Sequence, residues 1–86
     1  MRECSILQSA ENEIASIIER KEKYSKQTAK NWNEGLFKKL NMLAEFPNMG
    51  TQATGLPGKK YPYDDVLIFY EFDDENLFVN HVRYPK

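Results

Sequence analysis

Ala10, Ile14, Ile17 and Ile18 recur at i, i+4, i+7 and i+8, and this spacing predicts one buried helical face. Glu19, Arg20, Glu22 and Lys23 fall on the opposite face. Ser9 reads as the N-cap, with Glu11 and Glu13 near the positive end of the helix dipole. The helix is expected to run to about Tyr24. A second stripe follows: Ala29, Trp32, Leu36, Leu40 and Leu43, broadened by Phe37 and Phe46. Ser25 is its N-cap candidate. Gly35 lies inside it at about 1 kcal/mol relative to alanine, either permitting close packing or merely tolerated. Pro47 disfavours helix at Phe46, and "PNMG" reads as a turn. The two helices therefore form a hairpin joined near Ser25.

After Gly50 the pattern changes. "TQATGLPGKK" reads as a loop. "DVLIFYEF" and "LFVNHVRY" are rich in β-formers, and "DDEN" between them predicts a hairpin. "KKYPY" reads as a preceding edge strand, where Pro62 is acceptable. "ECSILQS", with Ile6 and Leu7, reads as a short first strand. Both hairpin strands are apolar on both faces at their centres. Such a sheet is covered by helices on one face and partly covered on the other. The order β-α-α-β-β-β predicts an α+β fold, a helical hairpin on a mostly antiparallel sheet. Residues 1–86 are expected to form a single domain.

Composition narrows the class. With 41% hydrophobic and 29% charged residues, the chain is of ordinary globular type. No apolar run approaches the roughly 18 residues of a membrane span. The N-terminus lacks an apolar signal region and turns acidic at once, so the expectation is a cytoplasmic protein with no membrane partner. Cys4 is the sole cysteine and His81 the sole histidine, far apart in the chain. That excludes an internal disulfide and gives only weak grounds for a metal site, so no metal and no cofactor are expected. Cys4 reads instead as a small buried hydrophobe. Net charge is -1, unevenly spread. Residues 20–39 hold seven bases and two acids, whereas the stretches on either side are net acidic. This basic belt is open to two readings, a docking surface for an acidic partner or nucleic acid, and a solvated helical face.

The candidate chemistry sits in "LFVNHVRYPK". His81 is of the type that serves as base or acid near neutrality, and Arg83 can hold a phosphate through its planar fork. Tyr84 can stack on a base or donate a proton. Strand alternation puts His81 and Arg83 on one face and Tyr84 on the other, with Pro85 ending the pairing. Structural roles are equally open: a half-buried sheet histidine, an Arg83 paired with Glu71 or Asp73, and a Tyr84 at the core rim.

"SKQTAKNWNEGLFKKLNMLAEFPNMG" resembles the long amphipathic helix, ending in an L-x-x-F-P-x-M-G turn, of the RelE/ParE toxin superfamily of type II toxin–antitoxin (plasmid stabilisation) systems. "KYPYDDVLIFYEFDDENLFVNHVRY" resembles that family's next stretch. There a basic residue and a proline lead into an I-x-Y strand, an acidic turn, and a last strand with a basic residue and a histidine near its end. Lys60, with Lys59 beside it, stands at the position of the family's basic residue. The resemblance covers nearly the whole chain and carries the same β-α-α-β-β-β fold.

The resemblance implies a toxin neutralised by a cognate antitoxin. One branch cleaves messenger RNA on the ribosome; the other poisons DNA gyrase without being a hydrolase. A metal-independent ribosome-dependent endoribonuclease would use His81, Arg83, Tyr84 and Lys60 as its catalytic set, to take the 2′ proton, protonate the 5′ oxygen and hold phosphorane charge. Two departures favour the gyrase branch. Glu71 stands where relatives often carry a base, and residues 61–82 hold six acids and no lysine or arginine. Carboxylates beside such a site oppose docking on a polyanion. A degenerate, non-toxic family member is the third reading.

Overall fold

The computed structural model describes residues 2–85. Strand β1 (Glu3–Ile6) leads into helices α1 (Gln8–Glu22) and α2 (Lys26–Glu45). After a 3₁₀ turn at Pro47–Met49 come β2 (Thr51–Gln52), β3 (Lys59–Tyr63), β4 (Val66–Phe72) and β5 (Asn76–Arg83). The five strands form one sheet in the order β1-β5-β4-β3-β2. Strand β1 runs parallel to β5, and every other pair is antiparallel. The α+β order read from the sequence is the observed one. Strand β2 is an addition, two residues inside the stretch expected to be loop.

The helical stripes are the core. Leu36, Leu40 and Leu43 of α2 have no exposed surface, and Trp32 and Ala29 flank them. From α1, Ala10, Ile14 and Ile17 meet Ile68, Tyr70, Leu77, Val79 and Val82 of the sheet. Burial of each large aliphatic chain contributes about 1.5–3 kcal/mol, so these stripes hold the helices on the sheet. Cys4 lies half-buried beside this core, and burial pushes its thiol up from the ordinary value. Ser25 caps α2, accepting the Thr28 N–H at 3.2 Å. Ser9 does not cap α1. The helix begins at Gln8, with Leu7 in the capping position, and the Ser9 hydroxyl donates instead to the Asn80 carbonyl at 2.8 Å.

Two tyrosines explain two glycines. The Tyr63 hydroxyl donates to the Trp32 carbonyl at 2.7 Å, and it passes directly over Gly35. A Cβ there would collide with that hydroxyl, so glycine is the residue that permits the approach. Tyr70, fully buried, reaches under the turn that follows α2. Its hydroxyl donates to the Pro47 carbonyl at 2.5 Å and accepts the Gly50 N–H at 3.1 Å. A side chain at Gly50 would meet the same hydroxyl, and the Lys60 carbonyl at 2.7 Å. The "FPNMG" turn is therefore pinned to the sheet by one phenol.

The face of the sheet away from the helices is partly covered, as expected. Leu67, Phe69 and Phe78 are half-buried there. Leu56 and Pro57, from the loop before β3, line a cavity together with Phe69.

Candidate functional site

The site grows from an incomplete edge. Strand β1 pairs with β5 only as far as Ile6 opposite Val79. Beyond that point β5 has no strand on that side, and unpaired backbone groups need partners. The Leu7 backbone and side chains of helix α1 supply them. The Leu7 N–H bonds Val79, the Ser9 hydroxyl bonds Asn80, and the Glu13 carboxylate accepts the Val82 N–H at 3.1 Å. The helix substitutes for the missing length of β1.

At the same place β5 carries a bulge. Phe69 pairs with His81 and Tyr70 with Val79, so Asn80 is an extra residue. Val79 and Val82, three apart, are both buried as a result. Unbroken alternation would set His81 and Arg83 on the same face as the buried Leu77 and Val79. The bulge moves them off it.

His81 and Arg83 then meet one carboxylate. Glu13 Oε1 lies 3.1 Å from His81 Nδ1, and Glu13 Oε2 accepts from Arg83 Nε at 2.6 Å. With the Val82 N–H, that is three contacts on a side chain that is 25% exposed. The expectation that Arg83 pairs with Glu71 or Asp73 is corrected. Glu71 accepts from Asn80 Nδ2 at 2.8 Å, and Asp73 caps the β4–β5 turn by accepting the N–H groups of Glu75 and Asn76. Those two backbone bonds hold the Asp73 carboxyl below its ordinary range. The bulge and the α1 contact together outrank the cross-strand pairings.

Tyr84 follows the end of β5 and lies against α1, where the Arg20 guanidinium sits 5.2 Å from the ring centre. Tyr84, Arg83 and Arg20 line a groove of about 320 Å³ between α1 and the end of β5. His81 lines a different cavity, about 270 Å³, with Phe69, Glu71, Asn80, Leu56 and Pro57. Lys60 lines neither. It shares a cross-strand row with His81, but Phe69 stands between them, and two strand spacings are about 10 Å. The structure thus gathers His81 and Arg83 on Glu13, puts Tyr84 beside Arg20, and leaves Lys60 apart.

Glu13 and Arg20 were not legible as site residues. Glu13 reads in the sequence as an acid favouring a helix start, and Arg20 as part of a solvated face. A signal would have required knowing that β1 and β5 are parallel neighbours, which brings α1 across the end of β5. Two other bases of the belt are engaged by the sheet and by α2. Lys21 bonds Asp65 at 2.9 Å and lies 5.3 Å from the Trp32 ring centre, and Lys39 lies 5.7 Å from that of Tyr61. Among the described residues, no group of three or more His, Cys, Asp or Glu is placed to hold a metal ion. Among those same residues, no helix is long and apolar enough to cross a membrane.

Residues 5–84 match the family described as the ParE toxin of the type II toxin–antitoxin system, parDE. This chain belongs to the ParE toxin family. The toxin's fold has a counterpart in a solved structure described as the chromosomal ParDE toxin–antitoxin system from P. aeruginosa, with a TM-score of 0.82. That superposition covers 100% of this chain and 98% of the other at 10% identity, so it speaks for the shared fold. No curated protein matches the sequence. The toxin component of a type II module has a cognate antitoxin as its partner. The resemblance read from the "LAEFPNMG" turn and the terminal strand is thereby confirmed at the level of the family.

Proposed function

We propose that this toxin acts by docking on DNA gyrase in the cytoplasm, as a binding poison rather than a nuclease. The observation that carries this reading is the engagement of His81 and Arg83 by the same carboxylate. A ribonuclease of this design needs net positive charge around the scissile phosphate. Here Glu13 sets a carboxylate against both His81 Nδ1 and Arg83 Nε, and a carboxylate beside the scissile phosphate repels it. Lys60 adds no nearby cation, because Phe69 intervenes. Glu71 and the acidic β4–β5 turn place further negative charge on the sheet, unfavourable to a polyanion. Inhibition by docking needs surface complementarity only.

The test uses the wild-type toxin and His81→Ala side by side. The toxin is expected to inhibit supercoiling of relaxed plasmid by purified gyrase, with His81→Ala retaining the effect. Messenger RNA in a translating extract is expected to stay intact. Translation-dependent cleavage that disappears in His81→Ala would overturn the proposal in favour of the nuclease reading. Unchanged growth and supercoiling on induction without antitoxin would leave the non-toxic reading.

A further inference from the structure

The groove between α1 and the end of β5 has an apolar floor and a rim rich in hydrogen-bond donors. Asn12, Ser16 and Arg20 follow one another at four-residue steps on α1, so they form a single stripe along one wall. The Asn12 carbonyl oxygen is taken by Gln8 Nε2 at 2.9 Å, which leaves the amide N–H groups as that residue's contribution. Arg20 forms no ion pair among the described residues. Its guanidinium face is stacked on Tyr84, and stacking leaves the in-plane N–H fork available. On the other wall Arg83 spends Nε on Glu13, and its side chain remains 48% exposed. The one acid in the wall, Glu13, is already met by Arg83, His81 and the Val82 N–H. Ile17 and Val82, both buried, form an apolar floor.

We infer that this groove binds a carboxylate presented by an acidic segment of a partner protein. Donors without a counter-acceptor select an anion. Two arginine forks fit a planar carboxylate better than a point charge would. The apolar floor and the Tyr84 ring suit the hydrocarbon of an aspartate or glutamate side chain. A nucleic-acid strand fits less well. Its successive phosphates need a track of cations, whereas this stripe is flanked on its own helix by Glu13 and Glu19 and the facing sheet is acidic. Both arginines sit at an exposed rim, so the attraction weakens with salt.

Titration of the isotope-labelled toxin by NMR tests this, with a capped tetra-aspartate peptide as probe. Inorganic phosphate and a short oligo-dT serve as parallel arms. The expected result is saturable shifts at Ser16, at the Arg20 Nε–H and at Tyr84 with the peptide. Arg20→Gln should weaken binding about tenfold or more, and Arg20→Lys by less. Lys30→Gln, which removes an exposed base from α2, should leave it unchanged. Arg20 is exposed, so its variants keep the fold. Phosphate or oligo-dT saturating the same signals at lower concentration would overturn the proposal, as would shifts absent altogether. Shifts spread over residues 20–39 and indifferent to Arg20→Gln would also overturn it, as diffuse charge attraction. Toxicity does not enter the readout, so this proposal and the gyrase reading fail separately.

Discussion

Glu13 and Arg83 are joined by a 2.6 Å charge-assisted hydrogen bond that ties the second turn of the first helix to the last residue of the last strand. The same carboxylate also accepts the Val82 N–H. One side chain thus closes the sheet edge and engages two of the residues that looked catalytic.

Replacing Glu13 should therefore cost more than replacing Arg83. Glu13→Ala leaves the Val82 N–H without its acceptor and releases Arg83, a loss of about 1–3 kcal/mol. Arg83→Ala leaves Glu13 on the other two groups, and half the arginine is exposed, so about 0–1 kcal/mol is expected. Urea unfolding of both variants checks the order. Equal, small losses would show that the edge is satisfied by water.

Tyr70→Phe should destabilise the toxin by about 1–3 kcal/mol, since it strips the Pro47 carbonyl and the Gly50 N–H of a buried partner at no gain in packing. Amide exchange at Gly50 should accelerate together with the loss in unfolding free energy. Unchanged Gly50 protection would refute the pinning of the turn.

Gly35→Ala tests close approach against helix propensity. Alanine favours the helix interior by about 1 kcal/mol. Its Cβ would nevertheless collide with the Tyr63 hydroxyl and lie 3.2 Å from the ring Cζ. The single variant should be less stable than wild type. In a Tyr63→Phe background the hydroxyl is gone, and Gly35→Ala should become neutral or stabilising. A double-mutant cycle showing no coupling between the two positions would contradict this account.

The Lys21–Asp65 pair sets a pH dependence. Burial works against the Asp65 charge, but the Lys21 hydrogen bond and charge outweigh it and hold the carboxyl below its ordinary range. Lys21 is likewise opposed by burial and is held above its ordinary value by Asp65 and Asp64. A depressed acid stabilises the fold above its unfolded value, about 3.9, and loses that contribution as pH falls toward the folded value. A raised lysine contributes below about 10.4 and loses its contribution as pH climbs past it. Lys21→Met should then cost at most about 1 kcal/mol at pH 7, because Asp65 is partly exposed. The difference from wild type should shrink below pH 4. A difference that stays constant down to pH 2.5 would assign the loss to the Lys21 ammonium over the Trp32 ring instead.

Local pattern along the chain dictates the two helices, their buried stripes, the order of the main elements and the terminal hairpin. Each of these rests on periodicity or on a neighbour a few residues away: Leu36, Leu40 and Leu43 share a face wherever the helix lies, and Ser25 caps its own turn. The "LAEFPNMG" turn and the terminal strand also carried the family. Tertiary structure alone decided the rest. Strand β1 lies parallel to β5 and stops at Ile6, so the edge beyond Val79 must be satisfied by another element. The bulge at Asn80 turns His81 and Arg83 off the buried face. Glu13 sits 68 and 70 residues from His81 and Arg83, and only the crossing of α1 over β5 brings them together. No local pattern encodes such a meeting, because the groups are unpaired only once the sheet has formed. The stretch "LFVNHVRYPK" supplied the residue types, and the fold assigned their partners.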